Sequence, residues 1–561
     1  MFNPEKNAVA AVLVILVVAG FFFFYKLGER SLYNPDEGRY AEVAREMVLR
    51  NDWVEPRLFN VDYLAKPILF YWLTMVSFKL FGFTEFAARL MPVLFGLMGI
   101  LATFFFVKRT AGLRPAFFTA LILASSFWYM QVSRFMLIDI VFAFFIFSAL
   151  YAYYIAVSHR GHKGFFYLVF YVCLGFAFLA KGFACFILTG FPIGLYLVLG
   201  AKVKHPSLKR YHIAGILIFL AIISTWLVRI TMREPEFLES FVVHDHIKRF
   251  TSDDFEHQQP WFFFLLLMPV FCIPWTFFLI PIKNAFSFQP NNRRDLNLFL
   301  LCTGLGILFF FSVSQTKLAT YCMPAFPFLC ILLGCGWDTL CARNQLDKKA
   351  YLSTFYGIAL TMLCGIGAVA AVLFFERAYS EHYPISRQLA IGGCIISTGS
   401  IVCFLLLKRR HLRGVFYVLI CAMLLISIQV HAALTVIVDK NYSSEQLVHE
   451  FKKMLNDNDI IYIYGNPNKF YDLPFYLERE VSLIDLLGEL KPTDIIDQYE
   501  QDETISYITK KEFIEHAKAQ EPFYCVTRTK EYRKFTPEFQ ALFAVVYEKN
   551  GKLILKCGSQ I

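Results

Sequence analysis

The sequence predicts an α-helical polytopic membrane protein that ends in a C-terminal α/β domain. Three observations carry that prediction. Of 561 residues, 57% are hydrophobic, 63 are Phe and only 17% are charged, which excludes a soluble globular chain. The apolar residues gather into about thirteen runs near the length that crosses a bilayer. The basic residues between runs fall in alternate short loops.

The first run, 8–25, follows a short charged start. No small-x-small cleavage site succeeds it; Phe21-Phe22-Phe23-Phe24-Tyr25 does, so it reads as an uncleaved span. Further runs cover 86–107, 115–130, 136–157, 165–180, 183–200, 212–231, 260–282, 297–313, 319–340, 351–375, 388–407 and 414–438. With the N-terminus in the cytoplasm, every cytoplasmic loop is basic: Lys108, Arg109 and Arg114; Arg160 and Lys163; Lys202, Lys204, Lys209 and Arg210; Lys283, Arg293 and Arg294; Arg343, Lys348 and Lys349; Lys408, Arg409, Arg410 and Arg413. The opposite orientation fails this test. The chain then divides into a membrane domain, 1–438, with long outer segments at 26–85 and 232–259, and an outer domain, 439–561.

The tail reads as α/β. Asp459-Ile460-Ile461-Tyr462-Ile463-Tyr464-Gly465 is a strand and turn, Phe523-Tyr524-Cys525-Val526-Thr527 is another strand, and a helical pattern over 444–455 precedes them. Apart from Cys525 and Cys557, the cysteines lie in or beside apolar runs and act as small hydrophobes. Those two could pair in an oxidising compartment; spacing does not decide it. The net charge of +10 is spread over short loops, so it is not a nucleic-acid footprint.

Four polar groups fall on the outer face, where charge beside lipid is costly and marks function. The first is Asn34-Pro35-Asp36-Glu37-Gly38-Arg39-Tyr40-Ala41-Glu42, read as a helix start with Pro35 in the first turn and Asn34 as cap. The second is Asp62-Tyr63-Leu64-Ala65-Lys66-Pro67, which puts an ammonium at the lip of an apolar cavity. In the third, Lys181 lies in a hairpin too short to reach water, so it needs an anion, from Asp139 or from a ligand. The fourth is His244-Asp245-His246-Ile247-Lys248-Arg249, with a metal-competent His-x-His and an Arg suited to phosphate. Lys317 and Tyr321 add another cation and hydroxyl. Each admits a plainer reading: an amphipathic connector, an interfacial lysine, a structural ion pair, hydrogen-bonded histidines. Two histidines alone fall short of a zinc site, which normally has three or four protein ligands. Together, several cations around carboxylates in apolar surroundings point to a lipid phosphate.

Pro35-Asp36-Glu37-Gly38-Arg39-Tyr40-Ala41-Glu42, Tyr63-Leu64-Ala65-Lys66-Pro67, His244-Asp245-His246-Ile247-Lys248-Arg249-Phe250 and Thr316-Lys317-Leu318-Ala319-Thr320-Tyr321-Cys322-Met323-Pro324 resemble, in order and spacing, the bacterial 4-amino-4-deoxy-L-arabinose lipid A transferase family. That family has the GT-C architecture and is related to the protein O-mannosyltransferases. The resemblance covers about residues 1–440. It implies an enzyme of the bacterial inner membrane with a periplasmic C-terminal domain. Such an enzyme moves a sugar from undecaprenyl phosphate to lipid A at the periplasmic face, with inversion. It also implies that Asp36 is catalytic and that Tyr63, Lys66, Arg249 and Tyr321 hold the donor phosphate, with Arg39 and Lys181 nearby. Glu37, Asp139 and Lys317 line or support the cavity. The implied partners are the lipid-linked donor, lipid A and membrane lipids, and no nucleic acid. The family's zinc ion uses a Glu immediately before the second-motif Lys together with a fourth-motif His. Here that position is Ala65 and only His244 of the pair remains, so no cofactor is certain and a zinc ion on His244 stays an open reading. Two other readings stay open: a GT-C transferase acting on protein Ser/Thr or another glycan, and a lipid-linked sugar transporter. A transporter would need charges along a path to the cytoplasmic side, which the sequence lacks.

Overall fold

The computed structural model describes residues 7–158, 162–199, 209–235, 237, 241, 258–279, 294–342, 348–378, 385–485 and 507–558. Among the loop cations, Arg160, Lys202, Lys204, Lys283, Arg293 and Arg343 lie outside the described residues.

In lipid the backbone must satisfy its own hydrogen bonds, so the apolar runs become helices. Nine described helices are long and apolar enough to cross a membrane, from Glu85–Thr110 to Leu412–Asn441. The chain is a multi-pass membrane protein. The run at 115–130, read as one span, is instead two helices, Leu113–Ser125 and Phe127–Ser133, bent by 65°. The Ser125 and Ser126 hydroxyls donate back to the carbonyls of Leu121 and Ile122, which competes with the helix ladder at the break. The runs at 8–25 and 183–200 form shorter helices, Ala8–Phe24 and Ala184–Val198. The run at 260–282 gives Phe263–Phe271 and then a 3₁₀ turn, Trp275–Phe278. Pro269 and Pro274 lack the N–H that a continuous ladder needs there. One apolar helix, Leu69–Phe81, lies within the segment read as purely outer.

The chain forms two compact units. The first comprises Met1–Leu27, Ala65–Phe70 and Met91–Ala433; the second comprises Gly28–Leu64, Tyr71–Leu90 and Leu434–Ile561. The expected outer domain, 439–561, thus belongs to a unit that also takes in two early stretches.

Within the first unit, helices meet through aromatic rings and small residues. Phe106 stacks on Tyr151 at 4.2 Å, and Trp275, Trp337 and Phe416 pack together. A Cβ on Gly334 would lie 2.6 Å from the Thr119 backbone, so the helices Phe326–Ala342 and Leu113–Ser125 approach as closely as glycine permits.

The second unit holds two sheets. Strands β1 (Arg57–Leu58) and β2 (Val61–Asp62) form a small hairpin. Strands β3 (Ile461–Tyr464), β4 (Ser482–Ile484), β5 (Tyr507–Ile508), β6 (Phe523–Arg528), β7 (Ala544–Lys549) and β8 (Lys552–Cys557) form a mixed sheet in the order β5-β4-β3-β6-β8-β7. The strands expected at 459–465 and 523–527 are β3 and β6, paired in parallel. The helix expected over 444–455 is Glu445–Phe451. Helix Lys510–Lys518, opened by a capping box of Thr509 and Glu512, lays Phe513 on one sheet face against Tyr462, Phe523 and Phe543. Cys525 and Cys557 are free thiols buried in that same core.

Candidate functional site

In the second unit the Asp36 motif forms the helix Asp36–Leu49, with both acids in the first turn, as the sequence suggested. Asn34 is not its cap. Pro35 takes that position without a side-chain bond, because the Asn34 side chain is engaged elsewhere, on Asp472 and the Lys469 carbonyl. The helix is also no amphipathic connector. Every residue from Glu37 to Met47 is buried.

The three carboxylates of the motif meet three different fates. Asp36 keeps 42% of its side-chain exposure and pairs with Arg39 at 2.8 Å. Glu37 is fully sealed. It accepts from Arg89 at 2.8 Å through both oxygens, from Arg30 and from the Tyr33 N–H. Arg89 donates onward to the carbonyls of Arg30 and Ser31. Glu42 is buried in a two-point bond with Arg45, at 2.8 and 2.9 Å. One turn further on, Glu46 accepts from the N–H groups of Phe59 and Asn60, the left-handed residues at the β1–β2 turn. Burial, and then the neighbouring Glu42 charge, push the Glu46 carboxyl up to about 8. Tyr63 leaves β2 with its N–H on the Pro56 carbonyl, and the Arg39 guanidinium lies 5.9 Å from its ring.

In the first unit, Lys181 ends the helix Lys163–Lys181 and Asp139 opens Ile138–Ser158. The anion that the short hairpin called for is present: Lys181 Nζ donates to Asp139 Oδ1 at 2.6 Å. The same ammonium lies 4.3 Å from the Tyr321 ring and 5.7 Å from the Phe142 ring. Lys317 is buried and donates to the carbonyls of Ser314 and Gln259. Burial lowers its pKa. Lys66 donates to the Ala65 carbonyl at 3.0 Å.

The sequence motifs thus resolve into two sets: Asp36, Glu37, Arg39 and Tyr63 in one unit, and Lys66, Asp139, Lys181, Lys317 and Tyr321 in the other. His244 and Arg249 lie outside the described residues. Ala65 offers no side-chain donor, and no group of three His, Cys, Asp or Glu among the described residues could hold a metal. Ala65 therefore supplies no ligand at the position where the family places its zinc-binding Glu. Arg30, Arg89 and Asp472 were not singled out from the sequence. Arg89 had left a signal, being a guanidinium just inside the apolar run 86–107.

Three comparisons bear on this arrangement. A family model described as dolichyl-phosphate-mannose-protein mannosyltransferase matches residues 65–228. An undecaprenyl phosphate-alpha-4-amino-4-deoxy-L-arabinose arabinosyl transferase of Aeromonas hydrophila is 29% identical over 71% of this chain and 72% of its own length. A relative of the same description from Pseudomonas fluorescens is 29% identical over 83% of each chain. Among solved structures, ArnT from Cupriavidus metallidurans bound to undecaprenyl phosphate superposes with a TM-score of 0.81 at 24% identity, over 98% of both chains. An Archaeoglobus fulgidus oligosaccharyltransferase gives 0.51 at 11% identity, over 93% of this chain and 70% of that one. These likenesses bear out the GT-C fold and the kinship read from the motifs.

Proposed function

We propose that this GT-C membrane protein, a relative of the aminoarabinose transferases, is an inverting glycosyltransferase that moves an amino sugar from undecaprenyl phosphate to lipid A. The reaction takes place at the periplasmic face of the bacterial inner membrane, where alternation of the basic loops would put the Asp36 motif. The observation that carries the reading is the contrast within one helix turn: Asp36 is 42% exposed, whereas Glu37 is sealed. A carboxylate that must meet a substrate needs that access.

The acceptor oxygen attacks the anomeric carbon from the face opposite the leaving group. The bond from carbon to phosphate oxygen breaks, and the phosphate leaves with the electron pair, which inverts the centre. Lys66, Tyr63, Arg249 and Tyr321 neutralise the charge that grows on that phosphate. Lys181, oriented by Asp139, and Lys317 add positive potential around it. A hydroxyl acceptor would give its proton to Asp36 as general base. A lipid A phosphate is already largely ionised near neutrality, with a second pKa of about 6, so Asp36 would then orient it or stabilise positive charge on the sugar.

The test is mass spectrometry of lipid A from a deletion strain complemented with the wild-type gene or Asp36→Asn. The wild type restores the amino-sugar adduct, and Asp36→Asn, at equal membrane abundance, does not. Near-normal modification by Asp36→Asn would sink the assignment.

A second reading, transfer to protein Ser/Thr or another glycan, is favoured by the match to the protein mannosyltransferase model over 65–228. Unchanged lipid A with altered glycoproteins in the deletion strain would select it.

A further inference from the structure

The residues just before Asp36 are tied, one after another, to residues more than four hundred positions later in the sequence. The Ser31 hydroxyl bonds the Asp439 and Glu445 carboxylates. The Leu32 N–H donates to the Tyr476 hydroxyl at 2.8 Å. Tyr33 packs its ring on Tyr442 at 4.8 Å. The Asn34 N–H donates to the Tyr442 carbonyl at 3.0 Å. The Asn34 side chain donates to the Asp472 carboxylate and accepts from the Asp472 N–H, a reciprocal pair that fixes rotation as well as distance.

Asp472 is the hub of this strap. It is fully buried, and its second oxygen accepts from the Ser443 hydroxyl at 2.9 Å and the Ser444 N–H at 2.7 Å. It also reaches past Asp36 in the chain. A Cβ on Gly38 would lie 2.8 Å from the Asp472 nitrogen and would collide with the Asn34 amide. Asp472 therefore bounds the backbone on both sides of Asp36, two residues before it and two after. Arg39 holds the Asp36 carboxylate at 2.8 Å, and this backbone sets where that side chain starts.

We infer that Asp472 is a positioning residue for sugar transfer: through Asn34 and the 31–34 strap, the tail of the chain holds Asp36 in reacting geometry. This rests on the reading of Asp36 given above. A burial that only stabilised the fold would not need a reciprocal bond at the residue next but one to the reacting acid. Misplacing a reacting group by about 1 Å can cost ~10²-fold in rate.

The experiment uses the full-length protein in detergent, with undecaprenyl phosphate-linked aminoarabinose as donor and lipid A as acceptor, and counts folded enzyme by stoichiometric undecaprenyl phosphate binding. Asn34→Ala and Asp472→Ala each lower kcat per folded enzyme by ~10–100-fold, while the donor KM stays within about twofold. The double variant is no slower than the worse single, because both act through the same reciprocal contact. Glu450→Ala, an exposed acid of the same region, behaves as wild type. If Asp472→Ala does not fold, Asn34→Ala carries the test, since it leaves Asp472 bonded to Ser443 and Ser444. Unchanged kcat in the folded variants, or additive losses in the double, overturns the positioning role while leaving the transferase reading intact. An inactive wild type overturns both.

Discussion

Glu37 is buried and Lys181 half-buried beside apolar helices, and they spend their hydrogen-bonding capacity differently. Glu37 accepts four bonds, from two arginines and a backbone N–H, and Arg89 sends its remaining donors to carbonyls. Lys181 has three donors. Among the described residues it gives one to Asp139 and turns to the Tyr321 and Phe142 rings for the rest of its surroundings. A carboxylate saturated by its own protein has nothing left for a ligand. An ammonium with donors in hand, 19% exposed beside an 11% exposed partner, can still receive an anion. The contrast separates a charge consumed by the fold from one that retains hydrogen-bonding capacity.

The sharpest way to break this contrast is Arg89→Ala. It removes two of the four bonds that Glu37 accepts and frees two carbonyls, and removing one partner of a buried pair costs about 3–5 kcal/mol. A large fall in thermal midpoint and in folded yield is the expected outcome. A midpoint near wild type would show that the Glu37 cluster is not structural.

Lys181→Ala should show the opposite pattern. Transfer falls by ~10²–10³-fold, as for loss of a charge-stabilising donor, with a smaller stability loss than Arg89→Ala. Equal collapse of stability in both variants would erase the distinction.

Glu46 gives a pH-dependent version of the test. Its carboxyl is raised from 4.5 in the unfolded chain to about 8 in the fold. Between those values the unfolded chain releases a proton that the folded chain keeps, so stability falls as pH rises from about 4.5 to about 8. Thermal midpoints of the wild type should decline across that window, and Glu46→Gln should flatten the decline. An unchanged slope would mean that the two turn N–H groups hold Glu46 ionised.

The smallest effect belongs to the exposed pair of Glu450 and Lys453, where Glu450→Ala should leave the thermal midpoint unchanged.

Much of the fold was legible because its causes are local. Apolar runs make helices, Asp36–Leu49 begins where its acids and proline suggest, and β3 and β6 are short β-rich stretches between turns. The bend at Ser126 was hidden because hydroxyls that bond backward leave an apolar run apolar. The burial of Glu37, Glu42, Arg45 and Glu46 was hidden for a sharper reason. Six charges in one 14-residue helix read as a solvated face, and their burial is made tolerable by the Glu42–Arg45 pair within the helix and by partners from Arg89, Arg30 and the β1–β2 turn. Asp36, Lys181 and Asp139 could be picked out by where their charges fall. Asp472 could not, because a bond to Asn34 leaves no periodicity in either segment.

The second unit is assembled from Gly28–Leu64, Tyr71–Leu90 and Leu434–Ile561. During synthesis the first two pieces leave the ribosome long before the third exists. The Ser31, Asn34 and Gly38 backbone therefore lacks these partners until residues 439–476 have been made. A chain cut short between Asn441 and Asp472 would carry every described membrane helix and the whole Asp36 motif, yet lack the residue that closes around it. Synthesis of that later segment is then what supplies the motif's partners.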